Sequence, residues 1–266
     1  MVVRGEPWMI PALSRIWEAC FGDSPEYIRF FMERRFSSSI CFVWLEQNEP
    51  VGAVYLLPSL LQRKLSFYSY AGGVLPEHRK KGIFWELFHA MMEFCKERNA
   101  TLTGVPAAGT VEYYKKMGYE AAFSYKQLIC KPKGKTKFCT FREAEAEVYV
   151  QLRDKAFAEL NYVQWDVNSV KYALEENRFC GGFAEIVTID HDYILFGKKA
   201  GHILEVLETT LSPKLAEQIV PDLCYHWDVK QVSFRFPAKP GEKRMENGGI
   251  WGPAPFCDGW MGLDLA

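Results

Sequence analysis

YSYAGGVLPEHRKKGIFWELFHAMMEFCK, residues 68–96, decides how the rest of the chain is read. Its first part alternates and then runs apolar, the pattern of a buried strand that ends at Leu75. The pair Gly72-Gly73 inside that strand predicts a bulge or a close backbone approach. Pro76 has no N–H to give to a ladder and stops the strand. Beyond a short basic loop, Glu77 to Gly82, residues Phe84, Leu87, Phe88, Met91, Met92 and Cys95 recur at helical spacing and form one apolar face. A helix start leaves several N–H groups unpaired and carries partial positive charge. Here Arg79, Lys80 and Lys81 precede it, and Gly82 lets the backbone come close to a ligand. These residues suit a diphosphate, and they suit a solvated basic loop ahead of a helix equally well.

Composition bounds the answer. A length of 266 residues favours two domains, and 48% hydrophobic with 15% aromatic content supplies packed cores. A net charge of -1 excludes a general nucleic-acid binder, whose affinity needs a basic surface. The longest apolar runs fall far short of the roughly 20 residues that span a bilayer. The first ten residues lack the apolar core of a signal peptide, so a cytoplasmic protein without a membrane partner is expected. The eight cysteines are scattered, with no CxxC pair or Cys/His cluster. Reduced thiols and no metal are the expectation.

Working outward from the central stretch, Trp8 to Phe21 carries Leu13, Ile16, Trp17 and Cys20 on one helical face. Ser24-Pro25 signals a second helix start. CFVWLEQNEPVGAVYLL reads as a hairpin turning at Gln47 to Pro50, and Arg63 to Leu75 as a third strand. After the central helix, TLTGV gives a short strand; Thr110 is placed to cap the helix VEYYKKM, and Gly118 to end it. Tyr119 to Ile129 reads as one further strand. The strand–helix–strand unit from Tyr68 to Pro106 is long enough for a right-handed parallel crossover.

KPKGKTKF, residues 131–138, has no periodicity and reads as a linker. Helices are expected over Glu143 to Leu160, Asn168 to Glu176 and Pro213 to about Val220. Strands are expected over Gly182 to Ile189, Tyr193 to Lys198 and His202 to Thr210. The order of the first half is thus loosely repeated, without RKKG after the third strand. The organisation expected is a domain over 1–130, a linker over 131–140 and a second domain over 141–266. Aromatics such as Trp251 and Trp260 read as core, and Glu205 and Glu208 as ordinary surface carboxylates able to attract an amine.

Two of these motifs together resemble the GNAT superfamily of N-acetyltransferases. GVLPEHRKKGIFWELF is similar to that family's central strand, pyrophosphate loop and helix, with the signature Arg/Gln-x-x-Gly-x-Gly/Ala. VPAAGTVEYYKKMGYE is similar to its later strand–helix pair. Phe84 departs from the signature's final Gly/Ala, and the bulky residue after Gly-Ile is similar to the loop of the enhanced-intracellular-survival type. Those proteins follow the first domain with a degenerate GNAT-like one, which residues 141–266 resemble more loosely; a third, sterol-carrier-like domain of larger relatives is not seen before Ala266. The fold implied is α/β (α+β), the GNAT acyl-CoA N-acyltransferase fold. It has a mixed sheet with a splayed central strand, followed by a second degenerate GNAT-like domain.

The resemblance implies an N-acetyltransferase using acetyl-CoA as co-substrate and a small-molecule or peptide amine as acceptor. A homo-oligomer is compatible with it, as such enzymes often assemble. It implies that Val74 and Leu75 lend backbone groups to the pantetheine arm and thioester. Arg79, Lys80, Lys81, Gly82 and Ile83 would hold the pyrophosphate, and Tyr114 would act as general acid on the departing sulfur, with Tyr113 as its packing partner. The central strand has no carboxylate, and Glu77 and His78 read as solvated, so the base is left to a water relay or to the chain terminus at Ala266. A non-catalytic acyl-CoA-binding regulatory protein is the alternative reading.

Overall fold

A computed structural model describes the whole chain except residues 108, 137–138, 253–254, 257 and 264–266. The contacts divide it into two units, Met1–Tyr119 with Ile250–Gly252, and Glu120–Gly249 with Pro253–Ala266.

The first unit begins with β1 (Val2–Arg4), α1 (Ile10–Phe21) and α2 (Pro25–Arg34). Ser24 caps α2 as its sequence requires, its Oγ accepting from the Tyr27 N–H at 3.2 Å. The hairpin follows as β2 (Cys41–Glu46) and β3 (Glu49–Leu61), turning on Gln47 and Asn48 at φ 52° and 67°. Two consecutive positive φ values match the twist of the flanking strands. Then come β4 (Lys64–Val74), α3 (Ile83–Glu97), β5 (Thr101–Gly104), α4 (Val111–Lys115) and β6 (Tyr119–Ala121). β4 and β5 pair in parallel, as the crossover reading expects.

Both faces of this sheet are covered, which is why β3 reads as an almost unbroken apolar run. On one face, Trp17 of α1 packs at 4.7 Å from Phe31, 5.5 Å from Tyr55 and 5.7 Å from Tyr70 between ring centroids. On the other, Leu87, Phe88, Met91 and Cys95 of α3 join Val54, Leu56 and Leu102. Ile83 is buried in that cluster, whereas Phe84 and Met92 only flank it, a slight rotation of the expected stripe.

The second unit holds β7 (Ser124–Cys130), β8 (Thr140–Glu143), α5 (Ala146–Phe157), β9 (Val163–Gln164), α6 (Val167–Phe179) and β10 (Gly182–Thr188). β11 (Asp192–Ala200), β12 (Ile203–Thr209), α7 (Pro213–Trp227), β13 (Gln231–Pro237) and β14 (Met245–Glu246) complete it, and β15 (Gly249–Trp251) follows. The single strand expected from Tyr119 to Ile129 is thus two, β6 and β7. Helix α7 also runs past Pro221 to Trp227. Ile219, Val220 and Leu223 around that proline are fully buried, and their packing outweighs the hydrogen bond it cannot make.

Strand order reveals an exchange. The first sheet runs β1-β2-β3-β4-β5-β15-β6 and the second β14-β7-β13-β12-β11-β10-β8. β7 follows β6 in the chain yet pairs in the second sheet, and β15 follows β14 yet pairs in the first. The parallel pair β12–β13 around α7 repeats the β4–β5 pair around α3.

In the second unit Glu208 is fully buried, contrary to the surface role expected of it. Its Oε1 accepts from Arg153 Nε at 2.9 Å and Tyr149 Oη at 2.8 Å, and its Oε2 from Trp260 Nε1 at 2.9 Å. Arg153 also donates to the carbonyls of Val163 and Met261, so the buried pair is well satisfied. Removing one partner strands the other charge without water. Glu208→Ala should therefore destabilise the protein by about 3–5 kcal/mol in chemical denaturation. Glu205→Ala, whose side chain is 37% exposed and 3.9 Å from Lys198, should fall within about 0.5 kcal/mol of the parent.

Candidate active site

β4 and β5 pair only from Ser66↔Thr101 to Ser69↔Gly104. Beyond that point β4 carries a bulge against β3, where register shifts between Ala53 and Tyr55 and Ala71 adopts φ 46°. The bulge falls one residue before the expected Gly72-Gly73 pair. Its consequence is the expected one: the β5-facing edge of β4 is left without a ladder. A Cβ at Gly72 would stand 2.9 Å from the Phe84 ring, and one at Gly73 2.7 Å from Cys20 Sγ. The missing side chain at 72 is what seats Phe84, the residue that departs from the family signature.

Between β4 and α3 the chain makes a short 3-10 turn, Pro76–His78, then Lys80 at φ 63° and Gly82 at φ 78°. α3 starts on Gly82 with no side-chain cap, so its first N–H groups are open to an anion. A cavity of about 650 Å³ lies along these elements. It is lined by Val74, Arg79, Lys80, Gly82, Ile83 and Tyr114 of the expected set, with Gly72, Gly73 and Phe84 beside them.

Two expected residues stand apart from it. The Leu75 N–H donates to Val51 at 2.9 Å and its carbonyl accepts from His78 N at 2.9 Å, so neither backbone group is left for a thioester. Lys81 Nζ lies 3.4 Å from both Glu46 oxygens and turns away from the lining. Within the lining, the Val74 carbonyl is also committed, accepting from Arg79 Nε at 3.0 Å and from Cys20 Sγ at 3.3 Å. Lys80 is the loop cation without a partner among the described residues.

Tyr114 sits on a five-residue helix that Thr110 does not cap; the Thr110 hydroxyl instead donates back to Ala107 at 2.7 Å. Its ring meets Phe84 at 5.9 Å and Trp251 at 5.6 Å, both edge-on. Burial, and then the neighbouring Tyr113, push the Tyr114 phenol up to about 12. Tyr113 packs edge-on against the Tyr114 ring at 5.8 Å, as expected, yet it is 45% exposed and lines the same cavity, so it is also a second phenol at the site.

Sequence reasoning missed four contributors. Cys20 and Phe21 enter the lining from α1, and nothing in their helical pattern relates them to β4. His78, expected to be solvated, lines the cavity with its Nδ1 against Glu46. Partial burial works against the Glu46 charge, but hydrogen bonds from His78 and Lys81 outweigh it and hold that carboxyl below its usual range. Trp251 arrives on β15 from far along the chain. The expectation for the Ala266 carboxylate lies outside the described residues.

With this geometry in hand, comparison with known proteins is informative. Residues 8–122 match the family model described as acetyltransferase (GNAT) domain. No curated protein matches the chain in sequence. Among solved structures, a conserved protein of unknown function from Enterococcus faecalis V583 has a TM-score of 0.75 at 15% identity. That alignment covers 94% of this chain and 72% of that one. Eis1 from Mycobacterium abscessus has a TM-score of 0.68 at 12% identity, over 94% and 73%. A tandem GNAT protein from the clavulanic acid biosynthesis pathway has a TM-score of 0.53 at 11% identity, over 96% and 99%. At such identities the likeness is one of fold. Among the described residues no helix is long and apolar enough to cross a membrane. Residues 8–122, which span almost all of the first unit, match a GNAT acetyltransferase domain, and the chain as a whole is similar in fold to Eis1 and to a tandem GNAT protein.

Proposed function

We propose that this chain is an acetyl-CoA-dependent N-acetyltransferase, passing the acetyl group directly to the amine of a small molecule or peptide in the cytoplasm. The observation that carries the reading is one cavity reached by three features. These are the unpaired edge of β4 at its bulge, the open start of α3 beside Lys80, and the Tyr114 phenol. A coenzyme A lying along β4 would put its diphosphate at Lys80, Gly82 and Ile83, with Arg79 at the rim. Its pantetheine arm would run past Val74 toward Gly72, and its thioester would come near Tyr114. Since Leu75 N–H is spent on Val51 and Gly73 pairs with Ala53 in the same register, the donor for the developing oxyanion falls to the backbone N–H of Gly72 at the bulge.

The amine nitrogen forms a bond to the acetyl carbon as the carbon–sulfur bond breaks. The sulfur takes the Tyr114 proton, the ammonium gives up its proton to solvent, and the phenol is reprotonated from there. A phenol pushed up to about 12 keeps its proton at neutral pH, which an acid needs. A free thiol has a pKa of about 8.5, so the thiolate leaves tolerably without help. Among the described residues the lining includes no carboxylate, and His78 belongs to the diphosphate end of the loop, so the base falls to a water relay or to the chain terminus at Ala266. That same missing carboxylate favours the second reading, a non-catalytic acyl-CoA-binding regulatory protein.

Calorimetry with acetyl-CoA, followed by thiol release with spermidine, kanamycin, ethanolamine and a peptide N-terminus, separates the two. Turnover on any of them supports the enzyme; binding without turnover supports the regulator; no binding sinks both. Arg79→Glu combined with Lys80→Glu should weaken acetyl-CoA binding about tenfold or more. Tyr114→Phe should slow thiol release about 100- to 10,000-fold while leaving acetyl-CoA affinity unchanged.

Tyr114 should also leave a mark on stability. Its phenol is raised to about 12 in the folded chain, against about 10 when unfolded, so folding favours the protonated form. The stability this contributes is complete below about pH 10 and is lost as pH climbs toward 12. Denaturation midpoints followed across that window should fall more steeply for the parent than for Tyr114→Phe.

A further inference from the structure

We infer that Trp251 is a positioning residue for the Tyr114 hydroxyl, carried into the first unit by a strand from the far end of the chain. The inference rests on the reading of Tyr114 as the acid. α4 has little of its own to fix a side chain: five residues, none of them fully buried, no side-chain cap, and Gly109 at φ 81° just ahead of it. Tyr114 is instead set by rings. Phe84 holds one side, and Trp251 meets it edge-on at 5.6 Å.

Trp251 is itself locked. It is 7% exposed, lies 5.7 Å from Phe88 and 5.3 Å from Tyr119 between centroids, and rests on Gly104. A Cβ at position 104 would come within 3.0 Å of its six-membered ring, so β5 is shaped to receive it. The next residue is pinned as well, Gly252 N–H donating to the Gly118 carbonyl at 3.0 Å, at the end of the segment that carries Tyr114. Among the described residues the buried indole N–H has no partner, a cost to stability that a phenylalanine would not incur. The indole therefore serves here by shape and reach, not by hydrogen bonding.

The test compares Trp251→Leu and Trp251→Phe, each alone and combined with Tyr114→Phe. The readouts are acetyl-CoA affinity by calorimetry and thiol release from acetyl-CoA, with the best amine of the panel above or with water. Trp251→Leu should lower kcat about 10- to 100-fold, the scale of a small misplacement. Its acetyl-CoA affinity should stay within about twofold, and Trp251→Phe should recover most of the rate. The alkaline limb of kcat should move down toward ordinary tyrosine in Trp251→Leu, because the phenol gains water. In the Tyr114→Phe background, Trp251→Leu should change the rate less than about twofold.

An equal loss in both backgrounds, or a parallel loss of acetyl-CoA affinity, overturns the positioning role and leaves the acid in place. Parent-like rates for Tyr114→Phe alone overturn the acid and the positioning role together.

Discussion

The site depends on a steric permission at Gly72. A strand inside a sheet normally spends both edges on neighbours, and a sheet with both edges paired has no room for a ligand arm. β4 escapes because pairing with β5 stops at Ser69 and the bulge at Ala71 turns the chain aside. That departure would open only a slot if side chains filled it. Glycines at 72 and 73 keep the strand bare on its two sides, the space at 72 seating Phe84 and that at 73 admitting Cys20, and both line the cavity. Phe84 then holds Tyr114, so one glycine links the shape of the sheet to the placement of the phenol. The bulky residue where the family signature has Gly/Ala is thus accommodated by the strand it faces.

The second unit shows what the same topology becomes without that permission. β12 also pairs in parallel with its crossover partner and carries an irregularity, opposite Phe196 and Gly197. The connection from β12 to α7 is short, and Ser212 caps the helix with its own hydroxyl, its Oγ accepting from Leu215 N–H at 3.3 Å. The start of α7 is therefore satisfied internally where the start of α3 is left open. Near the end of β12, Glu208 is taken up by Arg153, Tyr149 and Trp260. Buried and bonded to one another, these groups face the interior and not a ligand. The unit keeps the fold and gives the site's place to its own side chains.

Local pattern made most of the first unit legible. The hairpin, the capped start of α2, the strand–loop–helix at its centre and the parallel crossover all follow from short-range rules, and six of the expected site residues line one cavity. What stayed hidden is long-range. A single apolar run from Tyr119 to Ile129 gives no sign that its two halves pair in different sheets, because both sheets want the same alternation. Trp251 looks like any buried tryptophan until strand order brings it beside Tyr114. Glu208 reads as a surface residue since periodicity marks which face a strand residue occupies, not what waits there. Leu75 failed for a related reason: whether a backbone N–H is free depends on its neighbour strand, and Val51 claims it.

Charge at the loop is arranged for exchange rather than capture. Three adjacent cations suggest a strong anion trap, but Arg79 is engaged by the Val74 carbonyl and Lys81 by Glu46. What is left at the mouth is Lys80 and the open N–H groups of α3, whose field is local and screened within a turn. The Lys81–Glu46 pair is solvent-exposed, and such pairs resist rearrangement weakly. On the function proposed above, a diphosphate at the loop would draw Lys81 from Glu46 at small cost. Glu46, at the end of β2, is held ionised by the hydrogen bonds of His78 and Lys81, so the loop's positive charge is already partly matched within the chain.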